Sequence, residues 1–355
     1  MPESTQIPKT MHAVGFRKAG PISAPDSLID FETSVPEPGP HDLLVQIKAI
    51  SVNPADAKVR ANAMPPEGQT RIPGWDAAGI VVKAGSETSL FRPGDEVYFA
   101  GDISRPGTYA DYTLVDERIT GHKPKSLTWA QGASIPLTAL TAWEGLFDRL
   151  KIAPKPSGAS TPQPSEHPEA LLVIGGAGGV GSIIIQLARA LTDLTVIATA
   201  SRPETAQWAT RMGAQHVIDH HASLVDQLSC LSVPAPRYVY STNQTDKHLE
   251  AIAELIAPEG SLVLIDDPAT LNVVPFKRKS VGIHWEFMFT RPLFHTADMR
   301  DQGRILNRVS EMLDNHELKP TDHLHMEGVT AENLRQAQEI LESGKAIGKI
   351  VLTNS

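Results

Sequence analysis

An α/β protein of two domains, a β-rich module joined to a doubly wound parallel sheet, is what this sequence predicts. Three observations lead there. The first third of the chain carries short apolar stretches cut by glycine and proline turns, and from Leu171 onward strand-like and helix-like segments alternate. A glycine-rich loop also stands where one such strand gives way to a helix. At 355 residues the chain exceeds what one core comfortably organises, so two domains are expected.

In the first third, Val45, Ile47 and Ala49 alternate with Gln46 and Lys48, the period of a half-buried strand. Pro54 ends it, because proline cannot donate to a ladder. Apolar runs at Gly79-Ile80-Val81-Val82 and Val97-Tyr98-Phe99 flank the turn chemistry of Pro93-Gly94-Asp95. Near Thr128 the pattern becomes helical, and Leu140, Trp143, Glu144 and Phe147 bridge the two modules. The Pro/Ser-rich stretch 153–164 reads as an exposed surface insertion. The run 171–174 suits a strand buried on both faces. Further strands are expected at 195–199, 216–218, 238–240 and 261–265, with a helix at 248–256. Two helical stretches follow Pro292, and Lys349-Ile350-Val351-Leu352 closes the chain as a strand.

Composition excludes several classes. The hydrophobic fraction of 41% and charged fraction of 21% argue for a globular chain. With 32 Lys+Arg against 41 Asp+Glu, the formal net charge of -9 opposes nucleic-acid binding. Cys230 is the one cysteine, so neither an internal disulfide nor a thiolate zinc cage can form. The start, Met1 to Gln6, lacks the basic and apolar segments of a secretory signal. The longest apolar candidate, 178–191, contains Gln186 and Arg189. A cytoplasmic protein without membrane partners is the expectation.

Gly175-Gly176-Ala177-Gly178-Gly179-Val180-Gly181 follows the 171–174 strand and precedes a helical pattern at 183–190. The submotif Gly176-x-Gly178-x-x-Gly181 has the spacing of a dinucleotide fingerprint in its required context. Its glycines permit a tight turn and close backbone approach to a pyrophosphate, and the helix start supplies amide donors. The next strand ends in Ala200-Ser201-Arg202. No carboxylate stands there to repel a ribose 2′-phosphate, while Ser201 and Arg202 could bind it, which favours NADPH. The alternative is a solvated Arg202 at a helix start. Asn243, just beyond the 238–240 strand, falls where the carboxyl end of a parallel strand faces a cofactor crevice.

These features, with Phe91-Arg92-Pro93-Gly94-Asp95-Glu96-Val97, Ile135-Pro136-Leu137-Thr138 through Trp143, Met212-Gly213-Ala214 and Gly348-Lys349-Ile350-Val351-Leu352, resemble the medium-chain dehydrogenase/reductase superfamily in its quinone oxidoreductase-like branch. The stretch from Phe276 to Arg291 is similar to the subgroup called zinc-type alcohol dehydrogenase-like. The resemblance implies a GroES-like β-rich catalytic domain, 1–137 and 293–355, with a Rossmann NADPH-binding domain, 138–292, inserted in it. The active site would lie in the cleft. A homodimer through the last Rossmann strand, near 281–285, is also implied.

The departures bear on the chemistry. Where zinc-using relatives place a histidine ligand, this chain reads Gly74-Trp75-Asp76; where they place an early cysteine ligand, it reads Asn53-Pro54. Catalytic zinc needs three well-placed protein ligands, so no metal is expected. His220-His221 and His323-x-His325 have spacings a metal could use but also suit surface positions or phosphate neighbours. Asn53 matches the Asn-Pro-x-Asp motif of zinc-free quinone oxidoreductases, where the asparagine faces nicotinamide and substrate; its other reading is a turn cap. Thr138 matches the position beside the nicotinamide, although it could simply cap a helix. The resemblance sets His220 near the adenosine phosphate and Lys349 among cofactor-binding residues. Phe287 and Phe289, with Met288, are pocket candidates or core. Tyr109 and Tyr112 are the nearest phenols and have no motif behind them.

The expected activity is NADPH-dependent hydride transfer to quinones or other conjugated carbonyls without zinc. The alternatives are a zinc alcohol dehydrogenase and a non-catalytic NADPH-binding redox sensor. Enoyl-thioester reductases use a tyrosine soon after the Asn-Pro motif, and 57–64 supplies none.

Overall fold

The computed structural model describes residues 7–155 and 168–354, so the insertion expected at 153–164 lies outside the described residues from 156 on. The chain divides into two compact units. One comprises Met1–Leu137, Phe289–His316 and Pro320–Ser355, the other Thr138–Met288 and Glu317–Lys319.

The first unit contributes β1 (Thr10–Gly15), β2 (Ile29–Ser34), β3 (Asp42–Val52), β4 (Ala77–Ala84), β5 (Glu96–Phe99), β6 (Tyr112–Asp116) and β7 (Thr120–His122). The second supplies β8 (Ala170–Ile174), β9 (Thr195–Thr199), β10 (His216–Ile218), β11 (Pro236–Ser241), β12 (Ser261–Leu264) and β13 (Gly282–Trp285). The first resumes with β14 (Asp322–Glu327) and β15 (Lys349–Thr353).

Among the described residues of the first unit, β1 and β2 form a hairpin pair, and a mixed sheet runs β14-β15-β3-β4-β5-β7 with β6 also on β3. The predicted alternation survives inside β3, where Val45, Ile47 and Ala49 are buried and Gln46 and Lys48 only half so. The strand is longer than that alternation because β4, β6 and β15 all pair with it. Its ends, Leu43 to Leu44 and Ile50 to Val52, therefore bury as well, each large apolar side chain contributing about 1.5–3 kcal/mol. Pro54 ends the strand and opens a helix, Pro54–Asn62, that the strand-centred reading leaves out. Proline is at home there, since the first helical N–H has no partner to lose.

Among the described residues of the second unit all pairings are parallel and the order is β10-β9-β8-β11-β12-β13. Counted along the chain this is 3-2-1-4-5-6, the doubly wound order whose reversal between β8 and β11 opens a crevice at the strands' carboxyl ends. Every residue of β8 is buried, as its unbroken apolar run predicts. The helix Gly179–Leu191 buries Ile183, Ile184, Ile185 and Leu187 and exposes Arg189; the most apolar stretch of the sequence is thus a core helix. Among the described residues no helix is long and apolar enough to cross a membrane. The bridging segment is a helix, Pro136–Trp143, running into a π-helical turn, Glu144–Arg149. Beyond Pro292 the two expected helices are Asp301–Asp314 and Ala331–Glu342.

Candidate functional site

The glycine loop leaves β8 through Gly175, whose φ of +81° is the left-handed conformation glycine adopts without strain. The N–H of Gly175 donates to Thr199 Oγ1 at 3.0 Å and that of Gly176 to the Thr199 carbonyl at 3.0 Å, which locks the turn against β9. A Cβ on Gly176 would come within 2.7 Å of Ala198 Cβ, and one on Gly181 within 2.3 Å of the Gly175 carbonyl oxygen. Those two glycines serve the protein's own packing. Gly178 differs, because a Cβ there would meet nothing closer than the Gly175 oxygen at 3.6 Å. Gly178, Gly179 and Val180 are half-exposed at the start of the helix, while Ala177 is buried. Backbone left bare beside open space at a helix N-terminus fits a pyrophosphate.

Around this loop, Thr242 Oγ1 donates to the Ile174 carbonyl at 2.8 Å, holding the carboxyl ends of β8 and β11 together. Asn243 follows, exposed, with its Oδ1 3.1 Å from the place a Gly175 Cβ would take. Ser201 is half-buried beyond β9. Arg202 opens the helix Pro203–Met212 and pairs with Glu204 at 2.7 Å, a carboxylate that reading only the strand end overlooked. His220 Nδ1 lies 3.3 Å from Thr199 Oγ1. The structure thus gathers Gly175 to Gly181, His220 and Asn243 at the carboxyl ends of three strands.

Asn53 and Lys349 belong to a different environment, in the first unit. Asn53 is 1% exposed and Lys349 3%. The Lys349 ammonium donates to Asn53 Oδ1, to Asp76 Oδ2 at 3.1 Å and to the Val52 carbonyl at 3.2 Å. The Asn53 amide donates in turn to Asp76 Oδ2 at 3.1 Å. Ser51 Oγ reaches the same oxygen at 2.8 Å, and the Leu137 N–H reaches Asp76 Oδ1 at 3.1 Å. Four donors converge on one fully buried carboxylate. Burial raises the pKa of Asp76, and the Lys349 charge leads the opposing effects.

A second buried acid adjoins this network. Asp56 Oδ2 accepts from the Asn53 N–H and from Tyr109 Oη, both at 2.8 Å. Burial pushes its pKa up to about 7 despite those bonds. Burial and Asp56 likewise push the Tyr109 phenol well up. The helix Ala331–Glu342 closes the far side, with Arg60 Nε donating to Gln338 Oε1 at 2.8 Å. Sequence reasoning missed Asp56 and Asp76 as site residues. The Asn53-x-x-Asp56 spacing of a helix cap signals the first; nothing local signals the second.

Thr138 is buried in the helix Pro136–Trp143 of the bridging segment. Phe289 is 2% exposed and Phe287 46%, so the structure does not treat them alike. Phe289 meets Trp75 edge-on, with centroids 6.1 Å apart, and Trp75 Nε1 donates to the Asp102 carbonyl at 3.0 Å. Trp75 is a core residue. Tyr112 lies within 3.5 Å of Gln46 Nε2. His325 pairs with Asp322 at 2.8 Å on the sheet-edge strand β14. In the second unit Glu286 and Glu144 form another buried acid pair that sequence reasoning missed. Arg149 Nε donates to Glu286 at 2.8 Å, and burial together with Glu144 drives the Glu286 pKa well upward.

Comparison with known proteins gives these features a context. Residues 39–125 match the model of the alcohol dehydrogenase GroES-like domain, and residues 212–352 that of the zinc-binding dehydrogenases. A zinc-type alcohol dehydrogenase-like protein of Staphylococcus epidermidis is 36% identical over 345 residues, which cover 96% of this chain and 99% of that one. A chloroplastic NADPH-dependent alkenal/one oxidoreductase of Arabidopsis thaliana is 32% identical over 232 residues, 62% of this chain and 55% of the relative. The crystal structure of a candidate zinc-dependent alcohol dehydrogenase from Rhizobium etli matches with a TM-score of 0.91 at 52% identity, covering 97% of this chain and 98% of that one. Among the described residues no three His, Cys, Asp or Glu side chains are grouped to hold a metal ion, and Trp75 is packed into the core.

Proposed function

This chain is an oxidoreductase of the medium-chain dehydrogenase/reductase superfamily, and from that premise we propose that it reduces quinones or other conjugated carbonyls with NADPH and without zinc. The observation that carries the reading is Trp75. It stands where zinc-using relatives place a histidine ligand and is committed to Phe289 and the Asp102 carbonyl. Without a Lewis acid, the alkoxide developing on a simple ketone would be poorly stabilised. A conjugated acceptor spreads the incoming charge over its π system, so fixed hydrogen-bond donors suffice. The Arabidopsis relative's name, with its NADPH and its alkenal/one acceptor, supports the same chemistry.

When bound, the reduced nicotinamide supplies hydride from its C4, and solvent water returns the proton to the reduced acceptor. The glycine loop holds the pyrophosphate through backbone donors. Ser201 and Arg202 select the 2′-phosphate, with Arg202 exchanging Glu204 for it. Thr138 orients the nicotinamide and acceptor. Asn53 is held in one orientation by Lys349 and Asp76, so its contribution is fixed geometry rather than proton transfer. Turnover of a panel of quinones and enones against saturated ketones and alcohols tests the reading. Conjugated acceptors should react and saturated ones should not. Efficient oxidation of a simple alcohol by chelator-treated protein would overturn it, and Asn53→Ala should lower turnover more than NADPH affinity.

A homodimer completes the proposal. The edge strand β13 is paired on one side by β12, and Trp285 at its end is 55% exposed. A second copy would cover that edge. Light scattering should give twice the chain mass at micromolar concentration.

A further inference from the structure

Three histidines gather beside the glycine loop, on elements that the cofactor fingerprint does not include. His220 and His221 follow β10, and His248 lies on the helix Thr245–Leu255. The rings of His220 and His221 meet edge-to-face with centroids 4.8 Å apart, and those of His220 and His248 stand 6.1 Å apart. The cluster is tied to the loop through one atom. Thr199 Oγ1 accepts from the Gly175 N–H and lies 3.3 Å from His220 Nδ1. Its own proton is then available for Nδ1, which leaves the proton of a neutral ring on Nε2.

Charged neighbours face this cluster from several elements. Arg202 and Asp219 act on His220, along with the other two rings. Lys247, Asp246 and Asp266 act on His248, together with His221. Arg202 itself is paired with Glu204. Burial is the leading cause that lowers both His220 and His248 from the ordinary imidazole value, which favours the neutral form of both rings in the free protein. No metal-holding group is present among the described residues. A cluster of proton-accepting rings beside a guanidinium suits an anion instead.

We infer that His220 and His248 couple cofactor choice to proton uptake, so that a ribose 2′-phosphate is met by Arg202 together with an imidazole that becomes charged as the phosphate arrives. The inference rests on the NADPH reading above and extends it to regulation by pH. A phosphate near two charges negative raises the pKa of a ring beside it. The ring's pKa is below its ordinary value in the free protein and above it in the complex. Affinity therefore grows as pH falls through the value in the complex and levels off below the value in the free protein. Linkage sets the slope: each proton taken up steepens the gain by about tenfold per pH unit. Below pH ~6 the phosphate's own protonation works against the effect. The gain is therefore confined to the range above pH ~6.

Calorimetric titration of the full chain with NADP+ and NAD+, in buffers of different ionisation enthalpy, reads the effect without any turnover. NADP+ binding should take up about one proton more than NAD+ binding near pH 7. Its affinity should rise several-fold from pH 8 to 7 while that of NAD+ stays flat. His220→Gln and His248→Gln should each reduce the uptake of NADP+ binding over NAD+ binding and flatten the slope, with an unchanged far-UV circular dichroism spectrum showing that the fold is intact. NADP+ binding that is tighter than NAD+ but takes up no extra proton would overturn the inference and leave the cofactor reading standing. Equal binding of the two cofactors at every pH would overturn both.

Discussion

The Asp76 network of the first unit and the glycine loop of the second organise their polar groups in opposite ways. In the first, Asn53, Asp56, Asp76 and Lys349 are all at most 3% exposed and are hydrogen-bonded into one network, in which Asp56 Oδ1 is buried without a partner. In the second, the groups around the glycine loop are backbone amides, and the nearby side chains Arg202, His220 and Asn243 remain half-buried or exposed. A buried network depends on every member, because removing one strands its counter-charge in a medium that solvates it poorly. A loop built from backbone depends on the atoms its glycines lack. Side-chain changes should therefore register as stability in the buried network, with Asn53 affecting turnover as well, and as ligand selectivity around the loop.

The largest expected effect is that of Lys349→Met, which leaves Asp76 buried without its cation. Unfolding in urea should show a loss of about 3–5 kcal/mol, partly recovered when Asp76→Asn is added. A loss below about 1 kcal/mol would mean that Asp76 is already neutral, and the contrast would collapse. The next effect depends on pH. Asp56 has a folded pKa of about 7 against an ordinary value of 3.8, so its contribution to stability is complete below pH ~4 and is lost as pH rises towards 7. Relative to Asp56→Asn, the wild-type chain should lose up to about 1.4 kcal/mol per pH unit across that window. Parallel stability profiles for the two would remove Asp56 as a buried proton site.

Gly181→Ala and Gly178→Ala sharpen the comparison from the other side. The first forces a Cβ to 2.3 Å from the Gly175 oxygen and should cost about 1–3 kcal/mol of stability. The second meets no close atom and should change stability by less than about 0.5 kcal/mol while weakening dinucleotide binding. Unchanged NADPH affinity in Gly178→Ala would show that the open space there is not the pyrophosphate seat. The smallest effect on stability belongs to Arg202→Ala, which gives up a half-exposed pair with Glu204. Its signature should be about a tenfold loss in NADPH affinity with NADH nearly unaffected, measured by fluorescence titration.

These contrasts also mark what was legible before the fold was known. The glycine loop could be read because strand, turn and helix are contiguous, and the φ of Gly175 and the crowding at Gly176 and Gly181 arise within a few dozen residues. The strand at 45–49 could be read from its period, but its true length could not, since β4, β6 and β15 extend its burial from outside. Glu204 stands two residues from Arg202 and was still overlooked, because a pairing across a helix start has no period to announce it.

Alternation, turn residues and glycine spacing are local properties of a chain with a covalent repeat, and for that reason the sequence by itself determined the α/β class, the order of the two modules and the loop that suits a dinucleotide. Tertiary structure decided which polar groups would lose their water. Lys349 meets Asp76 across 273 residues and Asn53 across 296, and the pairings of β15 and of β4 with β3 bring them together. The amide of Asn53, which caps the helix Pro54–Asn62, is also a member of a buried ion network, because desolvation depends on what packs around a group and not on the residues beside it in the chain.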